Sequence, residues 1–219
     1  MTRSTVIRTG VRLLGYGLLV LGGALLLGLL LTHVLLDSPV GRFDDAIERS
    51  LAANRSTTGN ALTYAGTQLA EPLNVEIALA VLVLGLGVVT RRVLLPLFLA
   101  VTVIGESAIY FVTSTLIPRD RPHVPRLGMG DPVASYPSGH AAASLCLYGG
   151  LAVLAWRFTR NRPLQVGLTV LAVVLPPLVG FSRMYRGFHH LTDILAGLLL
   201  GGTWLWLTTR LLLSRERTG

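Results

Sequence analysis

The segment SRMYRGFHHLTD carries the pair of residues in this chain best suited to covalent chemistry. His189 and Asp193 are four residues apart, so a helix would place both side chains on one face. A carboxylate beside an imidazole fixes the tautomer of the ring and stabilises its positive charge. The other ring nitrogen of His189 would then be available as a nucleophile.

Two arginines could hold the oxygens of a phosphoryl group near that nucleophile. Arg183 lies in the same segment as His189, and Arg121 belongs to an earlier polar stretch, RDRP. The planar guanidinium donates a fork of hydrogen bonds and stabilises the charge of a phosphoryl group in transfer. No acidic cluster or HExxH-like spacing predicts a metal site. We therefore expect the arginines to supply the positive charge, with neither a metal nor a cofactor.

The segment YPSGH offers an anion site and a second histidine. Its residues indicate the start of a helix with Ser138 at or near the N-cap, where free backbone N–H groups and the positive end of the helix dipole could hold an anion. Gly139 would let the anion approach closely. An ordinary helix cap is the alternative. His140 would protonate the departing oxygen in a transfer reaction.

These polar segments lie between apolar runs long enough to cross a membrane. The chain has 219 residues, of which 52% are hydrophobic and only 14% charged, outside the usual balance of a soluble domain. A membrane helix needs about 20 apolar residues. Six runs satisfy this requirement, namely Val11 to Leu36, Leu73 to Thr90, Val93 to Ile117, Gly139 to Trp156, Leu164 to Phe181 and Leu191 to Leu212. We predict an all-α, six-transmembrane-helix bundle that forms a single domain over residues 1–219.

The first apolar run, the two prolines of the fifth run and the connection between the first two runs each lead to a further prediction. The first run is too long for the core of a signal peptide, so we expect a retained membrane helix. Pro176 and Pro177 should kink or break the fifth helix. The connection Asp37 to Pro72 should contain an amphipathic surface helix that either covers the site or only joins its neighbours. Its apolar positions are Val40, Phe43, Ile47 and Leu51.

The distribution of arginine predicts the orientation of the bundle. All 19 basic residues are arginine, and they collect at the ends of apolar runs, so the formal charge of +8 does not indicate nucleic-acid binding. With six crossings, eleven of them share one side with a single acid, Glu216. The positive-inside rule then places both termini in the cytoplasm and the polar segments outside it. The eleven are Arg3, Arg8, Arg12, Arg91, Arg92, Arg157, Arg160, Arg162, Arg210, Arg215 and Arg217.

Taken together, RDRP, YPSGH and SRMYRGFHHLTD resemble the three signature motifs of the type 2 phosphatidic acid phosphatase superfamily of integral-membrane lipid phosphatases. The family pattern is RP, then PSGH, then SR-x5-H-x3-D, and the last two are matched in full. The resemblance implies His189 as nucleophile forming a phosphohistidine, Asp193 as its partner, and His140 as acid and later base. It also implies phosphate binding by Arg121, Arg183, Ser138 and Gly139.

One position departs from the family pattern. The first motif usually begins with a lysine seven residues before the arginine, and here that residue is Ser114. Arg119, Arg126 or Arg186 could supply the missing charge, or the site could bind phosphate with one contact fewer. The departure concerns phosphate affinity and substrate choice rather than the histidine chemistry.

Glu106 is an acid placed deep in the third apolar run. It lies about three helical turns before Pro118, where an intramembrane carboxyl is a candidate for function. A protonated or hydrogen-bonded carboxyl packed beside Gly105 and Ser107 is an equally supported structural alternative.

The resemblance and the topology together predict a metal-independent phosphatase in a membrane. The abundance of Ala, Gly, Leu and Arg without Lys is typical of a GC-rich bacterial genome, which suggests a bacterial cytoplasmic membrane. A lipid phosphate would enter from the outer leaflet, with phosphatidic acid, phosphatidylglycerol phosphate and a polyprenyl diphosphate as candidates and the last as first guess. Two alternatives stay open. One is a lipid phosphotransferase using an acceptor alcohol, and the other is a non-enzymatic lipid transporter.

Overall fold

The computed structural model describes residues 3–128 and 134–214, and every regular element in these ranges is helical. A π-helical turn, Leu30–Val34, continues α1. The α-helices are α1 (Arg3–Leu29), α2 (Pro39–Ala53), α3 (Thr57–Gln68), α4 (Pro72–Thr90), α5 (Leu94–Leu116), α6 (Gly139–Phe158), α7 (Arg162–Tyr185) and α8 (Leu191–Leu213).

Six of these helices are long and apolar enough to cross a membrane, which confirms the predicted six-helix layout. They are α1 with its π-helical turn and α4 to α8. Two boundaries differ from the prediction by more than two residues. α1 begins at Arg3, well before Val11, because its polar first turns continue the helix. α7 extends past Phe181 to Tyr185, so Arg183 lies in its last turn.

The two prolines of α7 do not end the helix. Pro176 and Pro177 lie inside a helix that runs from Arg162 to Tyr185, so the predicted possibility of a break is wrong. Proline removes one backbone donor and crowds the preceding turn, effects that packed neighbours offset in a membrane bundle. The continuous helix carries the Arg183 side chain towards α3 and the start of α8.

α6 lies at the centre of the bundle, packed against α5, α7 and α8. The core contains Phe98 and Leu99 of α5, Cys146 and Leu147 of α6, and Trp204 of α8, all buried. α1 and α4 bury a much smaller share of their apolar surface than α6 does. They therefore form the outer wall of the bundle, where their side chains would contact lipid.

Two glycines let α8 lie directly against the beginning of α6. A Cβ atom added to Gly197 would stand 2.3 Å from the carbonyl oxygen of Ser138, and one added to Gly201 would stand 2.7 Å from that of Ala142. Such separations are far below van der Waals contact, so these positions exclude any side chain. The close approach fixes the start of α6 beside the first turn of α8.

α2 is amphipathic as predicted, but it presents its polar side to the protein. Ser38 caps the helix by accepting a hydrogen bond from the Val40 amide at 3.1 Å. The buried residues of the helix are Gly41, Asp44 and Glu48, whereas Phe43 is 59% exposed. Asp44 and Glu48 face inward because they contact Arg119 and His190, as described below. α2 thus covers the polar end of the bundle.

Candidate active site

The three polar segments singled out in the sequence meet at one end of the bundle, called here the site end. The Ser138 amide donates to the carbonyl oxygen of Asp193 at 3.0 Å, joining the second segment to the third. The Arg121 guanidinium donates to the carbonyl oxygen of Phe188 at 2.7 Å, joining the first segment to the third. The structure therefore brings together residues that lie up to 72 positions apart in the chain.

His189 is buried and its ring is held by a backbone carbonyl. Nδ1 lies 2.6 Å from the carbonyl oxygen of Ser135. A carbonyl can only accept, so Nδ1 carries the hydrogen and Nε2 keeps its lone pair. Burial, together with the charges of Arg183 and Arg121, lowers the pKa of His189 to about 4 against the opposing effect of Asp193. The imidazole is therefore neutral at physiological pH, the form that a nucleophile requires.

Asp193 contacts His189 less directly than its spacing suggested, because α8 begins at Leu191 and His189 precedes it, so the expected common helix face is wrong. The Asp193 carboxylate is 3.9 Å from Nδ1 of His189, and its shorter contacts are to other donors. Arg119 donates to it at 2.6 Å, the Ser135 hydroxyl at 2.5 Å and the His190 amide at 2.9 Å. The last contact is half of a capping box at the start of α8. Asp193 thus fixes the segment that carries His189, while Ser135 orients the ring.

Arg119 connects Asp193 to α2. Its guanidinium lies 3.2 Å from the Asp44 carboxylate and donates to the Thr192 hydroxyl at 2.7 Å. The Asp44 carboxylate also accepts from the Thr192 amide at 3.2 Å, so it caps α8. Asp44 is only 2% exposed. Nothing in the sequence singled out Asp44, because its partners Arg119 and Thr192 lie more than 70 positions away.

Arg183 and Arg121 both lie close to the ring of Phe188. The guanidinium carbon of Arg183 is 4.1 Å from the ring centroid and that of Arg121 is 5.8 Å away. Arg183 also donates to the Thr67 hydroxyl of α3 at 3.2 Å. Its buried Nε has no hydrogen-bond partner among the described residues. Two like charges held this close would be stabilised by an anion that both could contact.

Ser138 occupies the N-cap position of α6, as expected, but its hydroxyl does not cap the helix. The hydroxyl oxygen is buried and has no hydrogen-bond partner within the described ranges. Gly139 begins the helix, and a Cβ atom there would lie 2.9 Å from the ring of Tyr110. The glycine is thus required by packing, while the hydroxyl and the first N–H groups of α6 can serve an anion.

His140 has an acidic partner that the sequence did not indicate. Its Nε2 lies 3.3 Å from the carboxylate of Glu71, at the start of α4. The hydrogen bond from His140 holds the pKa of Glu71 below its ordinary value although partial burial opposes this. The charges of Arg183 and Arg121 act on the rings of both His140 and His189. Both histidines therefore belong to one electrostatic environment.

Ser114 occupies the position of the family's lysine, and Arg119, Arg126 and Arg186 are the arginines that could replace its charge. The structure shows what each of them contacts. The Ser114 hydroxyl donates to the Phe111 carbonyl of its own helix at 3.1 Å. Arg119 is bound by two carboxylates, as described, and Arg186 donates to the carbonyl oxygens of Asn60 and Leu127. Arg126 is exposed.

His190 contributes to the packing of α2 rather than to the anion site. Its Nε2 lies 3.0 Å from the carbonyl oxygen of Asp120, and its Nδ1 lies 2.5 Å from Glu48, close but not aligned as a hydrogen bond. Burial lowers the pKa of His190, but Glu48 and Asp193 together outweigh it and the net shift is upward. Asp45 lies near this pair, and the three side chains together offer ligand atoms that could bind a cation. Glu48 and His190 contact each other directly.

An apolar groove of about 570 Å³ leads from the membrane face of the bundle to this site. It lies between α4, α5 and α6, and one end reaches Gly139 and His140. Its walls are apolar apart from a few polar side chains, a composition suited to a lipid tail. The residues that form it include Val75, Leu79, Val103, Ile104, Glu106, Tyr110 and Phe111.

Comparisons with known proteins agree with these observations. Residues 94–217 match the family model described as the PAP2 superfamily. The chain is 37% identical over 71 residues to phosphatidylglycerophosphatase B of Bacillus subtilis, covering 31% of this chain and 34% of that protein. It is 33% identical over 75 residues to probable lipid phosphate phosphatase 4 of Arabidopsis thaliana, covering 31% and 23%. The alignments thus span about a third or less of these relatives.

The fold resembles a solved structure over nearly the whole chain. That structure is the crystal structure described as the first transmembrane PAP2-type phosphatidylglycerolphosphate phosphatase from Bacillus subtilis. The superposition has a TM-score of 0.74 at 22% sequence identity and covers 95% of this chain and 98% of the other. At this level of identity the likeness concerns the fold.

Proposed function

The chain belongs to the PAP2 superfamily, and from this premise we propose that it is a membrane phosphatase that removes phosphate from a lipid. The observation that carries the proposal is the contact between Nδ1 of His189 and the Ser135 carbonyl, which leaves Nε2 with its lone pair. The two arginines beside Phe188 would hold the phosphate for attack by this nitrogen.

The reaction has two steps. In the first, Nε2 of His189 forms a bond to phosphorus while the bond from phosphorus to the lipid oxygen breaks, and His140 gives that oxygen a proton. In the second, His140 takes a proton from water, water oxygen bonds to phosphorus and the phosphohistidine bond breaks. The products are the dephosphorylated lipid and inorganic phosphate, and both histidines return to their starting states.

Positive charge for the transition state would come from the protein. Arg183 and Arg121 would contact the phosphoryl oxygens, with the Ser138 hydroxyl and the first amides of α6 as further donors. Asp193 would stabilise the charge of the His189 ring as it becomes a phosphohistidine. In this mechanism the arginines do the work that metal ions do in other phosphatases, so activity should persist with EDTA.

The substrate would reach the site sideways through the groove between α4 and α5. A lipid could keep its tails among the apolar side chains of the groove while its phosphate reaches His140. The arginine distribution supports a site end outside the cytoplasm, with both termini inside it. The location we propose is the cytoplasmic membrane of a bacterium, with entry from the outer leaflet.

The test is phosphate release by purified protein in detergent with EDTA present. Phosphatidic acid, phosphatidylglycerol phosphate and a polyprenyl diphosphate form the substrate panel, each assayed with and without glycerol as an acceptor. We expect His189→Ala to lower release at least about 1000-fold, because it removes the covalent step. His123→Ala, at an exposed histidine of the same end, is the matched control and should keep activity.

Trapping the intermediate tests the nucleophile itself. Rapid quenching of the wild-type reaction in base should reveal protein-bound phosphate that acid releases, as expected for phosphohistidine. Retained hydrolysis by His189→Ala would contradict the mechanism. Phosphate appearing on glycerol instead of free in solution would support the phosphotransferase alternative.

A further inference from the structure

Glu106 differs from the other buried polar residues of α5 because its carboxyl group makes no hydrogen bond with the described residues. It is fully buried, and neither carboxyl oxygen has a hydrogen-bond partner among the described residues. The other buried polar side chains of this helix are bonded, Thr102 to Phe98 and Thr208, and Thr113 to Ile109. The neighbouring Ser107 hydroxyl lies near the Glu106 carboxyl but donates to the Val103 carbonyl at 3.0 Å. An unpaired buried polar group is costly, so Glu106 calls for a partner that the chain does not supply.

The position of Glu106 points to a ligand rather than to another part of the protein. Glu106 is one of the residues that line the groove ending at His140, and its carboxyl lies just behind the groove surface. Tyr110, one helical turn further along α5, packs on Gly139 at the start of α6. Glu106 therefore lies about 6 Å deeper in the groove than the phosphate end of the site.

An unpaired carboxylate would be strongly disfavoured in this apolar wall, so the group is expected to be a neutral carboxylic acid. A neutral acid donates one hydrogen bond and accepts others. A polyprenyl chain offers only hydrocarbon below its phosphates. A glycerolipid offers ester carbonyl oxygens a few bonds from its phosphate, which is the depth that Glu106 occupies.

We propose that Glu106 is a specificity residue that donates a hydrogen bond to an acyl ester carbonyl of a glycerolipid phosphate bound in the groove. The inference rests on the proposed phosphatase function and selects one substrate class within it. It departs from the polyprenyl diphosphate that the sequence suggested first.

The test compares two substrates that differ only in the ester carbonyls. Wild-type protein in lipid-free detergent micelles is given a diacyl phosphatidic acid or its dialkyl ether analogue with matched chains, so that only the substrate supplies esters. One hydrogen bond predicts that kcat/KM is roughly three- to tenfold higher for the ester. Equal values for the two substrates would overturn the proposal without any variant being needed.

Variants then assign the preference to Glu106. Glu106→Leu should lower kcat/KM for the ester to that of the ether and leave the ether value nearly unchanged. Glu106→Gln, which keeps a donor of similar size, should retain the preference. Thr102→Val is the matched control, because it removes a buried hydroxyl from the same helix away from the groove, and it should retain the preference even if stability falls.

The possible failures can be told apart. A wild-type preference that persists in Glu106→Leu would overturn this inference alone. A wild-type protein that releases phosphate from neither substrate nor from a polyprenyl phosphate would overturn the proposed function and the inference with it. A preference that is lost in Thr102→Val as well would show a general effect of α5 and would also overturn the assignment.

Discussion

At the scale of single residues, His189 lies in the turn before α8, and its state is set by groups from other segments of the chain. The ring lies 3% exposed between a backbone carbonyl and two arginines, with its hydrogen on Nδ1. Burial keeps the ring neutral, and neutrality keeps Nε2 nucleophilic. The same burial makes the folded state less stable at low pH, because His189 binds a proton more readily in the unfolded chain than in the folded one.

The lowered pKa of His189 predicts how the free energy of unfolding depends on pH. The pKa of His189 is lowered from an ordinary 6.5 to about 4, so its contribution to stability is complete above pH 6.5 and is lost as pH falls towards 4. Between pH 7 and pH 5 the loss should be about 2 kcal/mol. Unfolding midpoints in detergent would measure it.

The variant His189→Asn isolates this contribution. Asparagine can still donate to the Ser135 carbonyl but does not titrate, so its pH dependence should be flatter than that of the wild type. His190, whose pKa is raised and whose effect has the opposite sign, is present in both proteins and cancels in the comparison. If the unfolding midpoints of the two proteins had the same pH dependence, His189 would not be a buried, neutral imidazole in the folded protein.

Glu71 gives a second prediction, about the leaving group. Its carboxylate lies 3.3 Å from Nε2 of His140 and favours the protonated ring. Glu71→Gln should therefore lower kcat about tenfold for lipid phosphates, whose alkoxide needs a proton. Nitrophenyl phosphate has a leaving group that departs without one, so its kcat should hardly change. An equal loss for both substrates would contradict the role of Glu71 in protonation.

At the scale of elements, the site depends on the distance between α6 and α8. Gly197 and Gly201 allow the two helices to touch through backbone atoms. That contact places the Ser138 amide against the Asp193 carbonyl and thereby aligns the anion site with the nucleophile. A small displacement of either helix would separate groups that must act on one phosphate.

Gly197→Ala tests this alignment. Its methyl group would stand 2.3 Å from the Ser138 carbonyl oxygen, and backbone cannot yield as a side chain can. We expect a loss of about 1–3 kcal/mol in stability and about 100-fold in kcat, since a displacement of about 1 Å can have that effect. Gly202→Ala is the control, since its methyl group would meet Leu145 at an ordinary 3.5 Å. A fully active Gly197→Ala protein would refute the account.

At the scale of the whole molecule, one end is polar and covered while the walls are apolar. α2 closes the site end with Asp44 and Glu48 turned inward and with Val40 and Phe43 exposed, as suits a helix at the surface of a bilayer. Arginines of the α4–α5 and α6–α7 connections gather at the opposite end. This polarity predicts that the site end lies outside the cytoplasm.

Thiol labelling can test the orientation because Cys146 is the single cysteine and is buried. Arg126→Cys at the site end should react with a membrane-impermeant maleimide in intact cells of a bacterial host. Arg92→Cys, in the α4–α5 connection, should react only after permeabilisation. The wild type should remain unlabelled until it is denatured. The reverse pattern of labelling would place the site in the cytoplasm.

The sequence by itself determined the six membrane helices and the residues of the three polar segments. Helix existence follows from the length of an apolar run. The nearness of His189 to Asp193 follows from a spacing of four, although His189 precedes α8 and the two groups are 3.9 Å apart. Both are local properties, readable without knowing the rest of the fold. Arg215 and Arg217, used for the orientation, lie outside the described residues.

Only the tertiary structure decided which groups complete the site. The Ser135 carbonyl that holds His189 has no side-chain signal, because every residue carries the same carbonyl. Glu71 and Asp44 reach their partners across 69 and 75 positions, so their roles depend on how helices pack. The apolar spacing of α2 predicted a helix but not which side faces inward. That choice was made by buried charges, whose need for partners outweighs the burial of a few apolar side chains.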